Sequence, residues 1–218
     1  MTHPDIQRSK EPIRLFRSEF FEFFTHTHPA VVPIIWVPVA AYCLIRAITG
    51  RPDAFSPVYI PVGAILGLFV WTLAEYTVHR FVFHFRPCAP WQERVSFMAH
   101  GVHHAQPMVK TRLVMPPAVS IPLALVFYGL FWLIVGAALG LLHWVFPLFA
   151  GFLIGYVLYD LTHYGLHHFR LRWGYLQFLR KHHMYHHSQT PDKRFGVTSV
   201  LWDLVFKTEP DRAVGGKP

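Results

Sequence analysis

The chain has 218 residues, a formal charge of +8 and a mean hydropathy of +0.30; 53% of its residues are hydrophobic and 17% aromatic. That length suits a single domain, and the apolar content exceeds that of an ordinary soluble one, so the basic excess is expected to face phospholipid and no nucleic-acid partner is expected. Of the two cysteines, Cys43 lies in an apolar run and Cys88 in a polar one, and neither belongs to a C-x-x-C pair. Neither a disulfide framework nor a thiolate zinc site is expected on that ground.

The first ten residues lack the continuous apolar core of a cleaved leader. From Pro12 onward Ile13, Phe16, Phe20, Phe23 and Phe24 recur at helical spacing between charged residues. Residues 11–25 therefore read as an amphipathic helix, with basic and aromatic side chains together as on a bilayer surface. Four apolar runs follow, giving spans near 31–49, 57–78, 118–139 and 144–162. The third is free of charge and long enough for the roughly 20 residues a crossing needs, while the fourth is long enough only if its helix runs on through Asp160 and His163. Proline and glycine are frequent in these runs, which transmembrane helices tolerate.

Eighteen of the twenty Lys and Arg residues lie in the amino-terminal segment, in residues 79–117 or in residues 163–218; only Arg46 and Arg51 lie elsewhere. By the positive-inside rule both termini and the central loop face the cytoplasm. The expected fold is all-α: an integral membrane domain spanning 1–218, with four transmembrane helices and a cytoplasmic helical cap.

Twelve of the sixteen histidines fall into four groups, all on that same side: His79 with His84; His100 with His103 and His104; His163 with His167 and His168; and His182 with His183, His186 and His187. Residues three and four apart share a helix face, so each of the last three groups can aim several ring nitrogens at one point. His79 and His84 are five apart and are expected to straddle a helix end or kink. His3, His26, His28 and His143 read as structural or interfacial. At least ten imidazoles suit two metal ions with about five nitrogen ligands each, and imidazole alone leaves zinc, copper and iron open. Glu75, four residues before His79, and Asp160, three before His163, are placed to orient those rings; alternatively they cap helices or pair with arginines.

The motifs His79-x-x-x-x-His84, His100-x-x-His103-His104, His163-x-x-x-His167 and His183-x-x-His186-His187, set as two pairs around a transmembrane hairpin, resemble the fatty acid hydroxylase and sterol desaturase superfamily. The words Tyr159-Asp160-Leu161-Thr162-His163-Tyr164 and Phe195-Gly196-Val197-Thr198-Ser199, followed by Leu201-Trp202-Asp203, are similar to the fatty acid 2-hydroxylase branch. The resemblance spans roughly residues 60–208. It implies a monooxygenase with a non-haem di-iron centre, zinc being possible in purified protein, that uses dioxygen on a lipid or fatty acyl chain from the bilayer. The implied ligands are His79, His84, His100, His103, His104, His163, His167, His183, His186 and His187, with His168 and His182 as unassigned neighbours. Many eukaryotic members of the branch carry an amino-terminal cytochrome b5 domain. Residues 1–30 are too short for one, so electrons are expected from a separate cytochrome b5-type protein, ferredoxin or reductase.

Phe81, Phe83, Phe85, Trp91 and Phe97 are expected either to line an acyl slot or to form an interfacial belt. Lys110, Arg112, Arg170 and Arg172 either meet a polar headgroup or serve only as positive-inside residues. Histidine boxes alone leave carotenoid ring hydroxylation and sterol or lipid desaturation open. A membrane metal-binding or transport protein is the non-enzymatic alternative, and it fits less well because transporters place ligands within their spans.

Overall fold

The computed structural model describes residues 11–209, and all regular structure among them is helical. A short helix α1 (Glu19–Phe23) precedes α2 (Val31–Thr49) and α3 (Tyr59–Thr77), which runs on as a π-helical turn, Val78–Phe83. Then come α4 (Pro90–Ser96), a π turn at Phe97–Gly101, and α5 (Val102–Ala105). Next are α6 (Pro117–Phe131), continued as a π segment Trp132–Ala138, and the long α7 (Leu142–His168). The last helices among the described residues are α8 (Gly174–Ser188) and α9 (Leu201–Val205).

Among the described residues, four helical stretches are long and apolar enough to cross a membrane: Val31–Thr49, Tyr59–Phe83, Lys110–Ala138 and Leu142–His168. The fourth does run past Asp160 and His163, so one continuous helix carries the chain from the apolar layer into the histidine region. α7 is the central helix and packs most extensively against α3 and then α2. Its small residues allow close approach: Gly151 lies against the Ala64 backbone of α3, and Gly67 of α3 against the Leu148 backbone of α7. Trp36 of α2, Trp71 of α3 and Tyr156 of α7 meet ring on ring in the core. The outer faces carry exposed Ile34, Ile45, Ile65, Leu125, Val126 and Leu133, as expected of helices solvated by lipid.

The amino-terminal segment differs from the expected helix over 11–25. Only Glu19–Phe23 is helical, because the preceding amides are taken by side chains. Ile13 N–H donates to Gln106 Oε1 at 2.8 Å, and the Leu15 and Phe16 N–H groups donate to Glu22 Oε2 at 2.9 and 2.8 Å. The result is a strap folded over α5 and residues 110–112, pinned further by Thr27 N–H to Thr111 O at 2.7 Å and by an Arg112–Glu22 ion pair. Phe20, Phe21, Phe23 and Phe24 remain largely exposed.

Candidate metal centre

The helix ends beyond the apolar layer converge on two clusters of imidazoles. His79, His84, His100, His104 and His186 form one; His103, His163, His167, His183 and His187 form the other. Within each, one ring nitrogen per residue lies within 4.8 Å of all the others. Neighbouring positions on α5 and α8 diverge by about 100°, so His103 and His104 serve different clusters, as do His186 and His187. These two helices thereby hold the clusters side by side, with the His104 and His187 rings stacked at 4.2 Å.

π-helical winding explains the odd spacing of the first motif. His84 N–H donates to His79 O at 3.1 Å, an i→i+5 bond, and one wide turn brings residues five apart together, with ring centroids 5.0 Å apart. The Phe97–Gly101 turn winds the same way just before α5 and carries His100, whose Nε2 is 3.1 Å from His79 Nε2.

The tautomers are fixed from a loop far along the chain. His79 Nδ1–H donates to Phe195 O at 2.6 Å, and His186 Nδ1–H donates to Lys193 O at 2.7 Å. Both rings therefore present an unprotonated Nε2 to the first cluster. Two acidic side chains hold that loop. Asp203, fully buried, accepts from the N–H groups of Phe195 at 2.9 Å and Gly196 at 2.8 Å and from Thr208 Oγ1 at 2.7 Å. Glu75 accepts from the N–H groups of Val197 at 2.7 Å and Thr198 at 2.8 Å and from the Thr198 hydroxyl. Burial alone would push the Asp203 carboxyl up, but donors from His182, Thr208, Gly196 and Phe195 outweigh it and hold the group below its usual range.

The direct ring-orienting roles expected of Glu75 and Asp160 are not what the geometry shows. Glu75 reaches the 197–198 backbone instead of His79, since an i+4 neighbour on a helix competes poorly with two N–H groups aimed at the same oxygen. Asp160 accepts from Met115 N–H at 3.2 Å and does not bond His163. His168 and His182 stand outside both clusters. His168 packs against Tyr164, and His182 lies between Asp203 Oδ2, 3.3 Å from Nε2, and Glu209 Oε2, 3.0 Å from Nδ1. Of the other histidines, His26 bonds Thr111 Oγ1 at 2.8 Å and His143 packs against the Phe55 ring, while His3 lies outside the described residues.

The donor set fits metal ions. Nε2–Nε2 separations of 2.9–3.1 Å recur at His84–His186, His103–His187, His167–His183 and His183–His187. Two nitrogens each about 2.1 Å from one ion and about 90° apart lie about 3.0 Å from each other. Where both facing nitrogens are unprotonated they cannot hydrogen-bond one another, and a cation shared between them would satisfy both lone pairs. Buried His104 Nε2 and both His163 nitrogens have no hydrogen-bond partner among the described residues. Burial, reinforced by neighbouring imidazoles, lowers the pKa of His84 to about 3 and holds those of His100, His103, His104, His183 and His187 well below the ordinary range. His186 falls to about 4, with burial again the main cause. Neutral imidazole is the form that binds metal.

A cavity of about 440 Å³ opens beside both clusters. His100, His103 and His163 line one part; Leu113, Val114, Met115 and Val119 form an apolar wall; and Leu15, Phe16, Phe21 and Phe24 of the strap close another side. Of the five aromatic residues considered for an acyl slot, only Phe83 lines it, and Phe81 and Trp91 are exposed on the surface. Arg112 also lines the cavity and is only 7% exposed. The strap's part in the wall was not legible from sequence, since nothing in residues 11–25 names Gln106 or Arg112 as its partners.

Four apolar helices that carry a histidine-rich, apolar-walled site at one end define a multi-pass membrane protein with a site that could hold metal ions. The sequence matches the fatty acid hydroxylase family over residues 64–208, and the chain belongs to that family; it is a hydroxylase. It is 39% identical over 202 residues to the dihydroceramide fatty acyl 2-hydroxylase FAH1 of Arabidopsis thaliana, which covers 93% of this chain and 82% of that protein. It is 42% identical to the ceramide very long chain fatty acid hydroxylase SCS7 of Saccharomyces cerevisiae over 87% of this chain and 47% of the other. The solved structure of full-length scs7p, in which only the hydroxylase domain is visible, matches with a TM-score of 0.78 at 39% identity, over 87% of this chain and 69% of that one.

Proposed function

We propose that this protein inserts one oxygen atom from dioxygen at carbon 2 of a long acyl chain, free or in a complex lipid, using two iron ions held by His79, His84, His100, His104 and His186 and by His103, His163, His167, His183 and His187. The carrying observation is that both five-imidazole clusters contribute rings to the wall of one apolar cavity beside the membrane layer. When bound, the metal pair supplies the oxidising power that an unactivated or weakly activated C–H bond demands. The balance is one dioxygen, two electrons and two protons per acyl chain, giving one alcohol and one water. The two electrons come from a redox donor.

The chain's own groups do the rest. Apolar wall residues exclude water and accept the methylenes, while the loop at 193–199 keeps the His79 and His186 rings in one tautomer and orientation. With its carbonyl end at the polar side of the cavity and its tail toward the bilayer, a bound acyl chain presents its first methylene nearest the imidazoles. The site faces the cytoplasm in this reading, following the distribution of basic residues. Isotopically labelled dioxygen supplied with a reductase system is expected to leave one labelled hydroxyl at carbon 2. A hydroxyl on a carotenoid ring, a new double bond, or no label with the metal shown to be reduced would each overturn it.

A further inference from the structure

The cavity is polar at its depth and apolar at its rim. Its imidazole and charged lining groups, His100, His103, His163, Arg112 and Asp160, are all buried. The residues that both line it and reach the outer surface are Phe21 and Phe24 of the strap, Val95 of α4, Met98 just after it, and Val119 of α6. Thr25, half-buried in the same wall, turns its hydroxyl back to Glu22 O at 2.7 Å. A mouth opening to water would hold this whole apolar rim in the wrong solvent, whereas one opening to hydrocarbon would not.

The rim is continuous with the lipid-facing surface of the spans. Val119 lies in the first turns of α6, seven residues before Val126, so the two share a helix face, and both are exposed. The strap sits at the same level by two routes. Phe24 is seven residues before Val31, where α2 begins, and Thr27 N–H bonds the carbonyl of Thr111, six residues before α6 begins at Pro117. On the short helix α1 and its end, Phe20, Phe23 and Phe24 are spaced to share one face, with ring centroids 5.1 Å apart for Phe20 and Phe24 and 5.5 Å for Phe23 and Phe24. Phe23 is 73% exposed and Phe20 66%. Glu19 is paired with Arg14 and Glu22 with Arg112, so neither carboxylate meets lipid phosphates uncompensated. Clustered aromatic rings beside paired charges, at the end of a span, fit a phospholipid interface.

We propose that the phenylalanine face of the strap docks into the headgroup–acyl boundary of the bilayer, so that the cavity opens sideways into lipid between the strap, α4 and α6. The docking rests on the exposed face and the rim alone. That an acyl chain then passes through this mouth to the imidazoles rests on the acyl 2-hydroxylase reading.

The test measures depth rather than turnover. In the full chain lacking Cys43 and Cys88, a nitroxide is attached to Phe23→Cys or Met98→Cys, and the protein is placed in phosphatidylcholine nanodiscs. Collisions are then compared for oxygen, which concentrates in lipid, and for a nickel chelate, which stays in water. Ile34→Cys, at a residue 69% exposed on α2, supplies the immersed reference, and Lys181→Cys, on exposed α8 surface, the aqueous one. Phe23 and Met98 are both exposed, so neither label displaces core packing. Oxygen collisions should dominate at Phe23→Cys and Met98→Cys, as at Ile34→Cys, with an oxygen-to-nickel ratio several-fold above that at Lys181→Cys. A ratio at Phe23→Cys matching Lys181→Cys would overturn the docking. Protection from both reagents with an immobilised spectrum would overturn it too, because another protein surface, a second copy included, would then cover the face. An aqueous ratio at Met98→Cys alone would overturn the sideways mouth. Lipid-immersed labels on a protein that makes no 2-hydroxylated product would sink only the reaction proposed above, and product from a protein with aqueous labels would sink only this inference.

Discussion

His79 donates its Nδ1 proton to the carbonyl of Phe195 across 116 positions of the chain, at 2.6 Å. One end of that bond sits on a membrane-crossing helix and the other on a loop held by Asp203 and Glu75, so the shape of the loop sets the direction of an imidazole. Asp203→Ala removes the acceptor of two loop amides and of Thr208. Partners of this kind typically account for 10–100-fold in metal affinity. Chelator competition on purified protein is expected to show metal held about tenfold or more less tightly, with the first cluster affected most. Retention equal to wild type would show that the loop does not govern the rings.

The division of histidines predicts a contrast between neighbours. His104→Ala and His187→Ala each remove a ring from a cluster and should lower metal content below two ions per chain and abolish turnover. His168→Ala, whose ring packs on Tyr164 outside both clusters, should keep both ions and most activity. Metal analysis alongside turnover on the same preparations separates the cases. Two ions and full turnover in His104→Ala would remove that residue from the proposed ligands.

Sequence spacing carried the imidazoles further than it carried their supports. His100 with His103 and His104, or His183 with His186 and His187, is legible because helix periodicity is local, and hydropathy marks the spans for the same reason. His79 and His84 conform once the turn between them is wound as π, a choice that periodicity at 3.6 residues does not anticipate. Helix periodicity points Glu75 only to His79, four residues along its own helix. Its partners lie 122 and 123 positions away, where no local pattern points. The strap failed as a helix for a related reason, since tertiary acceptors on Gln106 and Glu22 took amides that a helical reading assigns to backbone carbonyls.

Docking of the strap should depend on pH through Glu22. Burial alone would raise its pKa, but the N–H groups of Phe16 and Leu15, the Arg112 guanidinium and His26 hold it below the ordinary 4.5. A carboxyl depressed in the folded state contributes stability that is present above pH 4.5 and lost as pH falls through the lower folded value. Hydrogen exchange at the Leu15 and Phe16 amides is expected to be slow at pH 7 and to lose protection as pH falls below the ordinary carboxylate range, after correction for intrinsic rates. Glu22→Gln should lose it at both. Protection unchanged in that variant would show that Glu22 does not hold the strap.

The sidedness proposed from the distribution of basic residues can be tested by labelling. In a background lacking Cys43 and Cys88, single cysteines at Arg94 and Lys181 should react with an impermeant reagent only from the cytoplasmic side. One at Asp53, in the short turn after α2, should react only from the opposite side. Lys181 lies on α8, which carries rings of both clusters, so its label reports the face of the metal site directly. Reaction of Lys181 and Asp53 from one side would overturn the four-span topology.

The contact between α3 and α7 ties the membrane layer to the metal chemistry, because α3 runs on to His79 while α7 carries His163 and His167. A Cβ added at Gly151 would lie 1.8 Å from Ala64 O, a backbone atom that cannot turn aside. Gly151→Ala must therefore push the two helices apart, and their imidazoles lie beyond the point of contact. Lower thermal stability and loss of metal are expected together, since rings placed to within a few tenths of an ångström no longer converge. Gly129 provides the control: a Cβ there meets nothing within 4 Å, and alanine is the better helix former. Gly129→Ala should unfold at or slightly above the wild-type temperature with its metal intact. If Gly151→Ala were as stable and as fully metallated as Gly129→Ala, the approach of α3 to α7 would have no part in setting the site.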